Sequence, residues 1–310
     1  MNFRALVLAT LVLFSGVDNV FADTAPAFAT RYANRPRAAV TILETDNSVI
    51  EISGIVPGVV NWVWIKVTKV EGGFKPLTQI FATPAAGWYS KKFHLPFGAG
   101  IYNFSVAGSV ESSQLTSYYR FFEGQANNHD TRDLSYLTPT EHIESDAPEV
   151  VELAKSIAKG SLTDRDKAKA IHDWVAGHIA YDTDSYFAGA WKEKSALVTL
   201  HDGKALCSGY ADLTAALHRA LGIRAKIIGG IQIRSEPGLT WEKVEANPSQ
   251  YSHAWNQVYV DGKWLTMDTT WDAGGLHGDG KFHFRLSQEF FDPTPDDFAL
   301  SHRATDESPF

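Results

Sequence analysis

SHAWNQVYVDGKWLTMDTTWD, residues 252–272, reads as two strands joined by Asp261-Gly262. Asp-Gly between alternating runs signals a two-residue type I′ hairpin, because both turn residues must take positive φ. Such a turn fixes the register by counting outward. Val260 then opposes Lys263, Val258 opposes Leu265, Asn256 opposes Met267 and Trp255 opposes Asp268. His253 shares a face with Trp255, which makes His253 and Asp268 diagonal neighbours, at roughly 7–8 Å between backbones and less between side chains. A carboxylate on one imidazole nitrogen fixes the tautomer and leaves the other nitrogen to face a nucleophile. Without a nucleophile, the pair would read as an ordinary surface contact. Asp272, just past the hairpin, is a rival carboxylate, but its register places it beyond His253.

The nucleophile comes from GKALCSGYADL, residues 203–213, which holds the only cysteine of the chain. The run CSGYADLTAALHRALG has helical periodicity through Tyr210, Leu213, Leu217 and Leu221 and stops at Gly222. Cys207 therefore falls at a helix N-terminus, where free N–H groups and the positive end of the helix dipole favour thiolate. Ser208 and Gly209 are small enough to let a substrate backbone approach the sulfur. An inert core cysteine has no use for that placement, and a nucleophilic thiol needs a base such as His253.

Cysteine, histidine and aspartate in this order resemble the transglutaminase-like superfamily of papain-type cysteine enzymes, with CSGYADL opening a helix and SHAW…DGKWLTMDTTWD on a hairpin. The lead-in DRDKAKAIHDWVAGHIAYD (164–182) is similar to the segment preceding the nucleophile in its bacterial members. So is the tail FFDPTPDDFALSHR (290–303), with its aromatic pair, acidic turn and histidine. The resemblance covers residues 143–310. It implies that Cys207 is the nucleophile, His253 the general base and then acid, and Asp268 the orienting carboxylate. The chemistry implied is attack on a carboxamide or peptide carbonyl to give a thioester. The backbone N–H of Cys207 is the natural first oxyanion donor. Trp191 and Tyr181 are candidates for the second, and Trp255 and Asn256 for support of the histidine.

Water would resolve the thioester in a peptidase or amidase, and an amine would in a cross-linking transglutaminase. Animal transglutaminases are longer and use calcium. Here DTDSY and DPTPDD lack the glycine and distal glutamate of an EF-hand loop. His277 and His283 read as solvated residues of a Gly-rich loop. No metal and no cofactor is expected, and hydrolysis is favoured over amine transfer. A third reading is a binding or scaffold module, as in superfamily members that have lost the triad. The stretch from Ile233 to Tyr251 reads as a loop at the cleft rim, where specificity would reside.

Around this core the expected fold class is α+β: a papain/transglutaminase-like domain over 146–310, preceded by an all-β domain. Asp146 before Pro148 and Glu149 reads as an N-cap, with the helix stopping at Gly160. Thr163 with Asp166 reads as a capping box, and His172 and His178 on the following helix as packing or surface residues. Residues 126–145 (within QANNHDTRDLSYLTPTEHIES) read as a linker. Over 23–125, seven short runs rich in Val, Ile and aromatics alternate with turn signals, as in an antiparallel Ig-like sandwich. In NWVWIKV, Trp62, Trp64 and Lys66 share one face; the tryptophans read as core or domain-interface residues ahead of a glycan-binding face.

Residues 1–22 read as a secretory signal peptide, with Arg4 followed by the apolar run Ala5–Phe14 and cleavage sites after Ala22 or Ala29. The run is too short to span a bilayer. The expected product is secreted or periplasmic, has no membrane span after cleavage, and acts on a protein or peptide substrate of the cell envelope or beyond. A net charge of −8 without basic runs argues against nucleic acid and anionic membranes as partners. A lone cysteine excludes an intramolecular disulfide framework.

Overall fold

The computed structural model describes residues 42–56, 60–84, 87–110, 119–189, 193–234, 237–276 and 279–307. The signal peptide, Trp191 and His277 lie outside them. The chain divides into two compact units between Leu134 and Ser135.

The first unit holds the seven expected strands: β1 (Ile42–Thr45), β2 (Val49–Ile55), β3 (Trp62–Lys69), β4 (Leu77–Ala82), β5 (Trp88–His94), β6 (Gly100–Ser109) and β7 (Tyr119–Asn128). They form a five-stranded sheet, in the order β1-β7-β6-β3-β4, and a β2-β5 pair. One pairing departs from the antiparallel expectation, because β1 runs parallel to β7. Parallel neighbours need a long crossover, and everything from β2 to β6 supplies it. Alternation along β3 places Val63, Ile65 and Val67 in the core at 0% exposure. Trp62, Trp64 and Lys66 lie half-buried on the opposite face, so the tryptophans are not core residues of this unit.

The segment read as a linker is divided between the two units, and each part is held within its own. Gln125–Asn128 belongs to β7. Asn128 is buried and donates to Ser48 Oγ and Gly98 O, each at 3.1 Å. Past the division, Ile143 is buried, Tyr136 O accepts from Ala225 N at 2.9 Å, and Arg219 donates to Thr138 O at 2.7 Å. The polar, aperiodic composition of this stretch serves side-chain and backbone hydrogen bonds of irregular chain.

The second unit centres on a sheet of order β12-β11-β10-β15. Its strands are β10 (Ala225–Gln232), β11 (Ser252–Val260), β12 (Lys263–Met267) and β15 (His302–Glu307). Two small pairs accompany it: β8 (Ala180–Tyr181) with β9 (Lys204–Ala205), and β13 (Gly274–Leu276) with β14 (Phe282–Phe284). The β11-β12 register is the one counted from the turn, including Val260 opposite Lys263 and Asn256 opposite Met267. Asp261 and Gly262 take φ of 51° and 79°. The helix Cys207–Ala220 packs its Tyr210, Leu213 and Leu217 into a core shared with Val258, Leu265 and Met267 of the hairpin.

Ile171 and Val175, from the helix Asp164–His178, join the same core. Its capping box is complete: Thr163 Oγ1 accepts from Asp166 N at 3.1 Å, and Asp166 Oδ2 accepts from Thr163 N at 3.0 Å. The preceding helix, Pro148–Ile157, starts differently from expectation. Its N-cap is Ala147, with no side-chain cap. Proline pushes the residue before it into extended backbone, so Ala147 takes the cap position that the sequence suggested for Asp146. The 233–251 stretch is also more ordered than a loop. It contains a helix, Trp241–Ala246, capped by Thr240, and a 3₁₀ turn, Pro248–Tyr251.

His218, on the Cys207–Ala220 helix, is buried. Its Nδ1–H donates to Thr214 O at 2.7 Å, and among the described residues its Nε2 has no partner. Burial pushes its pKa down to about 4. An unfolded histidine titrates near ~6.5, so in the interval between these values the unfolded chain takes up a proton that the folded chain refuses. Stability is therefore full above ~6.5 and falls as pH drops towards the folded value, by about 3 kcal/mol. Denaturant unfolding at neutral and mildly acid pH should show this loss, and His218→Leu should flatten the profile. His302 shifts in the same direction and His172 in the opposite one, so the difference between wild type and variant isolates the His218 contribution.

Candidate active site

The parallel β8-β9 pair sets Tyr181 opposite Ala205, two residues before the helix that Cys207 opens. Leu206 is the extended N-cap and offers no side-chain cap, so the helix start keeps its N–H groups for other use. Gly209 has a different role from the one its size suggested. It is buried in the helix, and a Cβ there would come within 2.5 Å of Thr199 Oγ1 and 2.6 Å of Ala205 Cβ. Its smallness lets the helix start pack against the chain that leads into it.

The hairpin brings the base to the thiol. Cys207 lies beside His253 and the Ala254 backbone, close enough for both to lower its pKa. His253 Nε2 donates to Asp268 Oδ2 at 2.6 Å, which leaves Nδ1 for the thiol. Asp268 stands just beyond β12 and caps the short helix Thr269–Asp272: its Oδ1 accepts from Thr270 N at 2.9 Å and from Trp271 N at 3.1 Å. The structure thus brings together the three residues proposed from sequence, with a hydrogen bond between His253 and Asp268 and the thiol beside the imidazole.

The electrostatics follow from this contact order. Burial pushes the Cys207 thiol up, but the hydrogen bond and charge of His253, with the Ala254 backbone, outweigh it and leave the pKa lowered. Burial pushes His253 down, while the charge and hydrogen bond of Asp268, aided by the thiol, carry it up to about 10. Asp268 is 1% exposed. Burial pushes it up, yet His253 and His302 hold it well below the usual carboxylate range. The arrangement favours a thiolate–imidazolium pair over a neutral thiol and imidazole.

His302, quoted above only as part of the tail, also reaches this site. Its Nε2 lies 3.1 Å from the same Asp268 Oδ2. No spacing in the sequence links β15 to the hairpin, because β10 stands between them in the sheet. The rival carboxylate, Asp272, points elsewhere. It is fully buried and accepts from His172 Nε2 at 2.8 Å, from Phe290 N at 3.0 Å and from the Ser287 hydroxyl. His172 is accordingly a buried anchor of its helix.

Support around the histidine is aromatic. The Trp255 ring lies 6.1 Å from that of His253 and the Trp271 ring 6.0 Å. Gly230 pairs with His253 across β10-β11. A Cβ there would meet the Trp255 ring at 2.5 Å and Arg303 O at 2.3 Å. Asn256 donates to Ala211 O at 3.0 Å, tying β11 to the Cys207 helix. Tyr181 is half-buried, and its burial and the thiol charge keep the phenol protonated, as a hydrogen-bond donor should be. Beside Trp271 lie two adjoining cavities of about 470 and 380 Å³, both lined by Arg234, Glu289 and Phe290.

His253, Asp268 and His302 present ligand-type atoms within 4.8 Å of one another. Both imidazole Nε2 atoms are directed at the carboxylate oxygen, which is hydrogen-bond geometry rather than convergence on a cation.

Comparisons with known proteins find a family match within the C-terminal unit. Residues 151–269 match the family model described as Transglutaminase-like superfamily. The chain is 28% identical over 155 residues to the kyphoscoliosis peptidases of Mus musculus and Homo sapiens, an overlap of 49% of this chain and 22% of each relative's length. Among solved structures, a transglutaminase matches 46% of this chain and 35% of its own, at 26% identity and a TM-score of 0.29. A cysteine-protease candidate from Cytophaga hutchinsonii matches 83% and 86%, at 18% identity and a TM-score of 0.36. Neither likeness, at scores this low, places a residue of this chain. The family match spans the Cys207 helix and the hairpin through Asp268, so the C-terminal unit carries, over residues 151–269, a core of the transglutaminase-like superfamily.

Proposed function

We propose that this protein is a cysteine hydrolase, a peptidase or amidase, acting through Cys207, His253 and Asp268 on amide bonds of proteins or cell-envelope peptides outside the cytoplasm. The observation that carries the reading is the hydrogen bond from His253 to the buried Asp268, with the Cys207 thiol beside the imidazole. The thiolate attacks the carbonyl carbon, and the oxyanion forms against the Cys207 backbone N–H, with the Tyr181 hydroxyl as a second donor. His253 then gives its proton to the leaving nitrogen as the C–N bond breaks, leaving a thioester. A water molecule, deprotonated by His253, attacks the thioester; the acid leaves and the thiolate returns.

Water rather than an amine as acceptor is supported by the two relatives, which are named peptidases. The superfamily also contains transglutaminases, and the triad serves both outcomes. Incubation with a glutamine-bearing protein and a labelled primary amine separates them. Hydrolysis predicts release of acid or ammonia with no label retained, and Cys207-dependent labelling would replace the hydrolase with a transglutaminase. Cys207→Ala should abolish turnover of any peptide amide the protein cleaves, by about 10³-fold or more. Full activity in that variant would leave only a binding module.

The pH dependence has a definite sign. The lowered thiol pKa means that the thiolate persists below the ordinary thiol value of ~8.5 and is lost only at lower pH. On the alkaline side, activity should fall as His253 deprotonates near about 10. Alkylation of Cys207 by iodoacetamide should accordingly stay fast at a pH where an ordinary thiol is protonated, and His253→Ala should return it to the profile of a free thiol.

A further inference from the structure

His302 has a contact set that the triad alone does not require. It is 3% exposed, and its Nε2 lies 3.1 Å from Asp268 Oδ2, the oxygen that also receives His253 Nε2. A carboxylate can only accept, so Nε2 carries the proton, and the neutral ring's Nδ1 then accepts from the Ser301 hydroxyl, 2.8 Å away. Burial lowers the pKa of this imidazole, more than Asp268 raises it, which keeps it in the neutral, donating form. The ring is stacked on Phe298 at 4.1 Å and 10°, with Trp271 at 4.5 Å on another side.

We propose that His302 is a positioning residue for the triad: its N–H clamps the second lone pair of Asp268 Oδ2, so that the carboxylate has one orientation available, the one that aligns His253 with Cys207. With Thr270 N and Trp271 N on Oδ1, the clamp completes four donors on one carboxylate and removes its freedom to rotate. Sharing Oδ2 also weakens it as an acceptor for His253, which tempers how tightly the imidazolium is held. Tyr181 from β8 and Tyr210 from the Cys207 helix also feel the Asp268 charge, and Arg234, past the end of β10, acts on Tyr181. The proposal deepens the cysteine-hydrolase reading and rests on it.

Two substitutions in the full chain separate clamping from packing. His302→Phe keeps a ring to stack on Phe298 but has no donor, whereas His302→Gln keeps an N–H near the Nε2 position but has no ring. The readout is the rate of iodoacetamide alkylation against pH, which reports Cys207 alone because the chain has one cysteine. It is followed by kcat and KM on any peptide amide that the wild type cleaves. Clamping predicts that His302→Gln keeps the fast reaction below the ordinary thiol pKa, within about threefold of wild type. It predicts that His302→Phe loses about tenfold or more there and in kcat, with KM unchanged.

The reverse pattern, with His302→Phe like wild type and His302→Gln impaired, would make His302 a packing residue and overturn the proposal while the hydrolase reading stood. Should His302→Phe fail to fold, His302→Gln decides alone: wild-type reactivity supports the clamp, and loss of reactivity in a natively folded variant removes it. A wild-type protein with the profile of a free thiol would sink the hydrolase reading, and the clamp with it.

Discussion

One buried carboxylate organises the C-terminal unit. In an apolar setting an isolated carboxylate would take up a proton rather than stay charged. Asp268 stays ionised because every direction in which it can accept is filled: two backbone N–H groups at the start of a helix, and two imidazoles from different strands. Each donor fixes the carboxylate, and the carboxylate in turn fixes each donor's element. The end of the hairpin, the last strand of the sheet and the base of the candidate nucleophile therefore share one point of reference.

The same short helix is secured at its other end. Asp272 closes the turn that Asp268 opens, and it holds His172 of a different helix at 2.8 Å with both residues out of solvent. Buried ion pairs are weak contributors to net stability, and removing one partner is costly because the other charge is left unmatched. Their effect here is geometric. Each carboxylate of one helical turn is matched to a histidine from a separate element, which leaves the path out of the hairpin little room to shift. The rings of Trp255, Trp271, Phe290 and Phe298 fill the space around His302, exclude water and strengthen these contacts.

What could be read from the sequence was what local chemistry dictates. Asp261-Gly262 imposes a turn, the turn imposes a register, and the register brings His253 to Asp268; helical periodicity and a glycine stop put Cys207 at a helix start. What could not be read depended on non-local neighbours. His302 arrives on a strand that lies two places from the hairpin's first strand and three from its second. Gly209 looked like clearance for a substrate because its close partners, Thr199 and Ala205, belong to an earlier segment. The polar stretch before Ser145 looked like a linker because its partners, such as Gly98 and Arg219, lie far away in sequence. The face of β3 that forms the core was hidden because both faces carry large apolar side chains, and only the opposing sheet distinguishes them.

The order in which the chain supplies these pieces has a temporal consequence. Cys207 becomes unusual chiefly through His253, and His253 through Asp268, so the unfolded chain carries a plain thiol, mostly protonated near neutral pH. Its reactivity is switched on by long-range pairing, the slowest kind of contact to form. The fold thus acts as a safety catch: an incompletely folded molecule has little thiolate to react with its neighbours, and the thiol is activated only once the hairpin has set His253 and Asp268 in place.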